Sequence, residues 1–379
     1  MQPITLVRGI ELPSLDQPGT KDLWIVGGRI FAIADAGEMP REIDVQTEID
    51  GSHLVGLPGL VDPHIHILGG GGGTGYESYV DGPVVEDLLK VGITSLVGSL
   101  GFDSTTRTLP ALVRKAKALG AGGIGVRCLV GGFNFPPLTV TGDIRQDMVV
   151  VTEVVGAGEL ALGDSRGAHL TDTELAGYAG MCFTGAMLSG KPAILQIHLG
   201  DDPAVFERVA RVARSARLPA SMFHMTHVNR NRDMMEASVQ FGKNGGLLDI
   251  TTHLPQAANG PIPAAEAVTA LLNAGVPDTQ ITVSTDGFGG MRVDDRPIAR
   301  YVPSPVSGLL DCLLELWALG MPVSQAVKFV STNAARYFGL VDRGLIEEGA
   351  SADILLLDNK TRKLVGVILA GNLNGTPES

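Results

Sequence analysis

The middle of the chain alternates apolar runs typical of β-strands with segments typical of amphipathic helices. Helical segments such as 109–120 and 204–217 separate the runs. A regular alternation of this kind predicts a parallel sheet whose strands are joined by helical crossovers. Eight such units between residues 58 and 341 predict an α/β protein with a (β/α)8 TIM barrel, whose usual length is about 250 residues. The eight apolar runs are 57–67, 92–101, 123–132, 159–164, 193–200, 220–228, 245–252 and 281–287.

Both ends of the chain carry short β-type runs separated by turn residues. The segment 23–34 places Gly27 and Gly28 between two such runs, which is typical of a β-hairpin. The segments 352–358 and 364–372 show a similar pattern. Neither end has enough apolar residues for a stable domain alone. We therefore predict that residues 1–57 and 342–379 pair into one small β domain, with residues 58–341 forming the barrel.

The amino-acid composition indicates a globular protein and excludes some classes of binding partner. The 379 residues are 44% hydrophobic and include 50 glycines without a collagen-like period, which predicts a globular chain with a large core. A net charge of -12 without a basic stripe argues against a nucleic-acid or membrane partner and leaves a small-molecule substrate. The three cysteines are too widely spaced for a disulfide framework. With no signal-peptide pattern and no membrane-length apolar run, we expect a cytoplasmic protein.

Side chains that bind metals end several of the predicted barrel strands. His64 and His66 lie at i and i+2 in the first run, a spacing that turns both imidazoles to the same side of a strand. His198, His227 and Asp286 end the fifth, sixth and eighth runs. Barrel active sites form where the carboxyl ends of the strands meet, so these side chains are predicted to converge. Imidazole and carboxylate ligands suit zinc, with manganese, iron and cobalt as alternatives.

Glu159 is the candidate for a carboxylate shared by two metal ions. It lies near the start of the fourth predicted run, 159–164. Two divalent ions about 3.5–4 Å apart can lower the pKa of a shared water. Asp286 is then placed to accept the proton and pass it to a leaving amine. The set therefore predicts metal-assisted hydrolysis.

Longer segments around these residues carry a family resemblance. They are DPHIHILGGGG (62–72), GITSLVGSLGFDS (92–104), TVTGDI (139–144), HLGD (198–201), THVNRN (226–231), GGLLDITT (245–252) and STDG (284–287). Over residues 50–357 the chain resembles the amidohydrolase superfamily and, within it, the isoaspartyl (β-aspartyl) dipeptidases. That superfamily also pairs its terminal flanks as a β domain, in agreement with the pattern above.

The resemblance implies a binuclear site with a glutamate bridge. One ion would be held by His64, His66 and Asp286, and the other by His198 and His227. Asp286 would also be the proton shuttle. The bridge of the dipeptidases is usually a carboxylated lysine, and the aligned residue here is Glu159. Because a glutamate is already a carboxylate, this bridge requires no carbon dioxide.

The resemblance also implies which residues contact the substrate. Two arginines hold substrate carboxylates in the dipeptidases, and both are retained as Arg166 and Arg230; their planar guanidinium groups suit bidentate binding. Three other family positions are changed. The glutamate that holds the substrate's amino group is Gly73, the tyrosine that polarises the scissile carbonyl is Phe133, and the serine after the catalytic aspartate is Gly290.

These changes leave the substrate open. Loss of a carboxylate removes the natural counter-ion for an ammonium group, although Tyr76, Glu77 and Tyr79 are nearby candidates for replacement groups. The leading interpretation is an isoaspartyl-dipeptidase-like metal-dependent hydrolase of small carboxylate-bearing amides. The alternatives are hydrolysis of N-acyl or N-carbamoyl amino acids or cyclic amides, deamination, and a scaffold without activity. We also expect a homo-oligomer.

Overall fold

The structure, a computed structural model, describes residues 3–38, 44–71, 73–167, 169–254, 260–293 and 300–375. Gly72 and the extreme ends of the predicted β domain lie outside the described residues. The strands are β1 Ile4–Glu11, β2 Thr20–Val26, β3 Arg29–Asp35, β4 Thr47–Asp50, β5 Leu54–Pro58, β6 Leu60–Ile65, β7 Ile93–Gly98, β8 Gly125–Val130, β9 Val154–Leu162, β10 Ile194–Leu199, β11 Phe223–Thr226, β12 Leu247–Thr251, β13 Ile281–Ser284, β14 Gly290–Arg292, β15 Tyr301–Pro303, β16 Ile354–Asp358, β17 Leu364–Leu369 and β18 Asn372–Asn374. The α-helices are α1 Val85–Leu89, α2 Leu109–Ala121, α3 Ile144–Val150, α4 Asp172–Ser189, α5 Ala204–Ala216, α6 Arg232–Lys243, α7 Ala264–Asn273, α8 Gly308–Ala318, α9 Val323–Val327 and α10 Asn333–Tyr337.

Strands β6 to β13 form the barrel. They lie side by side in chain order, and neighbouring strands run parallel. A further parallel bridge joins Ile65, at the end of β6, to Gly287, just after β13. The predicted TIM-barrel fold is therefore confirmed. Seven of the eight predicted apolar runs contain one of these strands, and the run 159–164 overlaps the second half of β9.

The two ends of the chain meet in a second sheet. Its main path is β18-β17-β16-β5-β1-β2-β3, and β4 pairs with β1. The antiparallel pair of β16 and β5 joins the flanks, with Leu355 opposite Leu57. The predicted β domain built from both flanks is confirmed, whereas its boundaries at 57/58 and 341/342 stay predictions.

The first predicted run, 57–67, is corrected into parts of two strands. β5 ends at Pro58 in the flank sheet, and β6 begins at Leu60 in the barrel. Gly59 separates them, and a Cβ atom there would lie 2.1 Å from Thr94 Oγ1. Close packing of the backbone on β7 thus requires glycine at this junction.

Strand β9 corrects the predicted position of Glu159. The strand begins at Val154, so Glu159 lies in its second half and not near its start. Gly156 and Gly158 look like turn residues in the sequence, but they lie inside the strand. A Cβ atom on Gly156 would lie 2.1 Å from the Ile194 carbonyl oxygen, and one on Gly158 would lie 2.7 Å from that of Gln196. Glycine here permits close packing against β10.

Two further expectations concern the cysteines and membrane-spanning segments. Cys128, Cys182 and Cys312 are buried free thiols, and burial raises the pKa of each to about 12. No helix among the described residues is both long enough and apolar enough to cross a bilayer.

Candidate functional site

The six predicted metal ligands lie together at the carboxyl ends of the barrel strands. They are supplied by β6, β9, β10 and the residues that follow β6, β11 and β13. His227 and Asp286, which the sequence placed within strands, come just after them and have positive φ angles of 72° and 52°. These turns aim their side chains back toward the barrel axis, where the ligand atoms meet. The six residues are His64, His66, Glu159, His198, His227 and Asp286.

One group of ligand atoms surrounds Asp286. Its Oδ1 lies 2.8 Å from His66 Nε2 and 3.7 Å from His64 Nε2. One potential ligand atom from each of the three residues falls within 4.8 Å of the others. This is the group that the family resemblance assigns to the first ion.

A second group surrounds Glu159. Its Oε1 lies 2.6 Å from His198 Nδ1 and 3.5 Å from His227 Nε2, and these two nitrogens are 3.0 Å apart. Its other oxygen, Oε2, lies 3.2 Å from His64 Nε2. Glu159 thus extends one oxygen to each group, which is the arrangement that a bridging carboxylate requires.

The electrostatics of the site favour a positive charge between these side chains. Burial by itself would lower the pKa of His64, but the carboxylates of Glu159, Asp286 and Asp249 outweigh burial and raise the pKa to about 10. Burial would raise the pKa of Glu159, yet the neighbouring His64 and His198 hold this pKa well below its usual range. These two opposite shifts mean that the carboxylates around His64 stay ionised and favour a cation at the centre of the ligand atoms.

His227 and Asp286 are held in the forms that bind metals. Burial, with His198 beside it, lowers the pKa of His227 to about 3, so its imidazole is neutral at pH 7. Burial would raise the pKa of Asp286, but the hydrogen bond to His66 and the nearby imidazoles lower the pKa to about 2. A neutral imidazole and an ionised carboxylate are the forms in which these side chains coordinate metals.

The residues fit a divalent metal ion. His64 Nε2 and Glu159 Oε2 are buried and, although they lie 3.2 Å apart, neither makes a hydrogen bond of good geometry to a described residue, whereas buried polar atoms in proteins are normally satisfied. Both atoms point into the centre of the ligand groups. A set of imidazole nitrogens and carboxylate oxygens suits zinc and related divalent ions.

A cavity of about 310 Å³ opens beside the ligands. Four of the six predicted ligands, His66, Glu159, His198 and Asp286, line it together with the cations Arg166 and Arg230. His253 also lines it, and burial lowers the pKa of this imidazole. Within the described part of the chain, the only carboxylates that line it are Glu159 and Asp286. The remaining polar groups are neutral and include Thr74, Ser78, Tyr301 and Ser304. The described residues therefore offer a ligand cationic and neutral contacts, but no carboxylate beyond the proposed metal ligands Glu159 and Asp286.

The two predicted arginines both line this cavity but differ in their surroundings. The side chain of Arg166 is 47% exposed and pairs with Asp164, with 2.6 Å between Nη2 and Oδ2. Arg230 is 21% exposed, and its nearest ion-pair contact among the described residues is Asp201 Oδ1 at 3.8 Å from Nε. This Nε makes no hydrogen bond, and burial lowers the pKa of the guanidinium. Arg230 is thus a largely buried cation that lacks a close counter-ion among the described residues.

The three changed family positions also lie at the cavity. Phe133 is buried and its ring lies 4.5 Å from that of His198, so it presents an apolar wall. A Cβ atom on Gly73 would meet only the ring of Phe102, at 3.4 Å, which leaves room for a side chain. A Cβ atom on Gly290 would lie 2.8 Å from Gly71 Cα and from the Ser78 carbonyl oxygen. At this last position the neighbouring backbone requires glycine.

Tyr301 is a cavity residue that sequence reasoning missed. It lies on β15, which pairs with β14 in a small sheet after the last barrel strand. Its hydroxyl lies 2.5 Å from Thr74 Oγ1. The expected replacement groups lie elsewhere, because Tyr76, Glu77 and Tyr79 are exposed and do not line the cavity. No local sequence pattern indicates a contact between residues 227 positions apart.

Comparison with known proteins places this geometry in a family. The model of the amidohydrolase family matches residues 55–374. The crystal structure of a β-aspartyl dipeptidase from Fervidobacterium islandicum AW-1 is 30% identical and has a TM-score of 0.88, covering 98% of this chain and 96% of that chain. The same enzyme in complex with the β-Asp-Leu dipeptide gives a TM-score of 0.86.

Two curated sequences are also similar. The imidazolonepropionase of Caulobacter vibrioides (strain NA1000 / CB15N) is 26% identical over 381 residues, which cover 90% of each chain. The adenine deaminase of Methylobacterium sp. (strain 4-46) is 38% identical over 93 residues. That match spans 24% of this chain and only 16% of the deaminase.

Proposed function

Since the chain belongs to the amidohydrolase family, we propose that it is a binuclear metal-dependent hydrolase of C–N bonds in small amides that carry a carboxylate. The observation that carries this proposal is the position of Glu159, whose two oxygens reach the two groups of ligand atoms. We propose zinc as the metal. When bound, divalent ions would lower the pKa of a water molecule and polarise the amide carbonyl.

The chain's own residues divide the remaining work. Asp286 lines the cavity and its low pKa keeps it ionised, so Oδ1 or Oδ2 can accept the proton of the attacking water. The same carboxyl group would then donate this proton to the leaving amine. Arg230 would bind the substrate's carboxylate, and Phe133 would exclude water from the wall beside His198.

The class of substrate follows from the charges around the cavity. The similarity to a β-aspartyl dipeptidase makes isoaspartyl dipeptides the leading named substrates. A free α-ammonium group, however, has no carboxylate to meet among the described cavity residues other than the two metal ligands. This observation favours substrates whose amine is acylated, carbamoylated or part of a ring, because Thr74 and Tyr301 offer neutral hydrogen-bonding groups.

Reconstitution of the metal-free protein tests the glutamate bridge. Protein stripped with a chelator and reloaded with Zn²⁺ is expected to contain about two ions per chain and to regain equal activity with and without bicarbonate. The reason is that Glu159 needs no carboxylation to bind both ions. Elemental analysis gives the count, and Glu159→Gln should lower it. A count that never exceeds one would refute the binuclear site, and a bicarbonate requirement would indicate a lysine bridge.

A matched pair of substrates tests the proposed specificity. We expect N-acetyl-β-Asp-Leu to be hydrolysed with a kcat/KM at least equal to that of β-Asp-Leu. Gly73→Glu places a carboxylate where the cavity has room and should shift the ratio toward the free amine, because it supplies a counter-ion for the ammonium. Gly73→Gln, of equal size but neutral, is the control. Fast and selective cleavage of β-Asp-Leu by the unaltered enzyme would instead establish a strict isoaspartyl dipeptidase.

A further inference from the structure

Below the metal ligands, the lumen of the barrel contains a fully buried carboxylate. Asp249 lies on β12 and has no exposed surface. It accepts hydrogen bonds from three hydroxyl groups: Thr282 Oγ1 to Oδ1 at 2.7 Å, and Thr226 Oγ1 and Ser284 Oγ to Oδ2 at 2.7 and 2.6 Å. The mechanism proposed above gives this carboxylate no role.

One of these hydroxyl groups connects Asp249 to a metal ligand. Thr226 Oγ1 lies 3.1 Å from His64 Nδ1. A threonine hydroxyl has a single hydrogen, and that of Thr226 is already donated to Asp249. In the contact with His64, Thr226 can therefore act only as the acceptor, so Nδ1 must carry the hydrogen.

This assignment leaves the other ring nitrogen of His64 for the metal. When a metal ion takes the place of the second proton, the imidazole keeps its hydrogen on Nδ1 and has its lone pair on Nε2. His64 Nε2 is the atom that faces Glu159 Oε2 at 3.2 Å and Asp286 Oδ1 at 3.7 Å. We infer that Asp249, acting through Thr226, is a positioning residue that fixes the tautomer and ring orientation in which His64 binds the metal.

The second branch of the network supplies an internal control. Thr282 donates its hydrogen to Asp249 in the same way, and its oxygen accepts from His224 Nε2 at 2.9 Å. His224 Nδ1 can then accept from Gln196 Nε2 at 3.2 Å. Thr226 and Thr282 are thus equally buried partners of the same carboxylate, but only Thr226 contacts a proposed metal ligand.

Zn²⁺ affinity, measured by equilibrium competition with a chelator, tests the inference without reference to activity. Thr226→Val keeps the shape of the side chain but removes the acceptor for His64 Nδ1, and it should raise the apparent Kd by about 10–100-fold, the usual effect of losing an outer partner of a metal ligand. Thr282→Val should stay close to the wild-type affinity. Thr226→Ser should bind Zn²⁺ with close to wild-type affinity, because serine keeps the hydroxyl. Asp249→Asn should weaken binding at least as much as Thr226→Val.

The outcomes separate this inference from the proposed function on which it rests. Equal losses of affinity in Thr226→Val and Thr282→Val would show that the network acts only through barrel packing and would overturn the inference while leaving the metal site intact. No loss in Thr226→Val would also overturn it. A wild-type protein that binds no Zn²⁺ would overturn both proposals. Thermal unfolding of the metal-free variants identifies any variant that is misfolded. If Thr226→Val is misfolded, the Zn²⁺ affinity of Thr226→Ser decides: wild-type affinity supports the inference, and weakened affinity refutes it.

Discussion

Replacing Asp286 with asparagine is expected to lower kcat by about 10²–10⁴-fold, the usual contribution of a general acid–base group. Asparagine has nearly the same shape, but it can neither accept a proton at neutral pH nor return one to a leaving amine. The carboxylate is 27% exposed to the cavity, so it can reach a water molecule and a substrate. Steady-state kinetics on the best substrate of the panel provide the measurement.

Two controls separate proton transfer from metal binding. The metal content of Asp286→Asn shows whether the variant still holds its ions, because Asp286 is also a proposed ligand. Asp164→Asn removes another carboxylate close to the centre, with 3.3 Å between its Oδ2 and His198 Nε2, but Asp164 does not line the cavity. Because Asp164 contacts a proposed metal ligand, the comparison is made at saturating Zn²⁺, where this control should retain far more turnover. If Asp286→Asn keeps its metals and stays within a few-fold of the wild-type kcat, Asp286 is not the proton shuttle.

The barrel, and the clustering of the six proposed ligands, were predictable because each depends on a simple rule. Alternation of apolar runs and amphipathic segments indicates the parallel barrel. Once the barrel is assumed, any side chain at a strand's carboxyl end must lie near the others. His64, His66 and His198 follow directly from this rule, and His227 and Asp286 follow although they lie just beyond their strands.

Glu159 shows where the same reasoning fails in detail. The predicted run begins at Glu159 and leaves out Gly156 and Gly158, and glycine is usually unfavourable inside a strand. Their place in β9 is explained only by the closeness of β10, with Ile194 and Gln196 against their Cα atoms. A contact between two strands separated by a long helix leaves no mark on the local pattern.

The cavity wall and the lumen network were beyond sequence reasoning for a related reason. The small sheet of β14 and β15 places the Tyr301 hydroxyl beside Thr74, and no periodicity in the sequence predicts this sheet. Asp249 is the single charged residue of the otherwise mostly apolar strand β12, and its role depends on hydroxyl groups from β11 and β13. Such polar networks join several strands at once, so they become visible only when all the strands are in place.

The largest effect on substrate binding is expected at Arg230. Arg230→Met should lower kcat/KM by roughly 30-fold to several thousand-fold for every carboxylate-bearing substrate, since loss of one partner of a buried charge pair costs about 2–5 kcal/mol. Arg166→Met is the matched control, because both arginines line the cavity. Arg166 is half-exposed and already paired with Asp164, so its loss should cost less than about tenfold. A larger effect at Arg166 than at Arg230 would reverse the assignment.

Stability measurements distinguish binding from structure in this prediction. A largely buried guanidinium without a close counter-ion destabilises the free protein, since burial of an unpaired charge is costly. Arg230→Met removes that charge and fills similar volume, so the free energy of unfolding should be unchanged or higher. Loss of kcat/KM together with retained or increased stability would mean that Arg230 is kept for the substrate's carboxylate and not for the fold. A destabilised Arg230→Met protein would show instead that Asp201, 3.8 Å away, already serves as the partner of this cation.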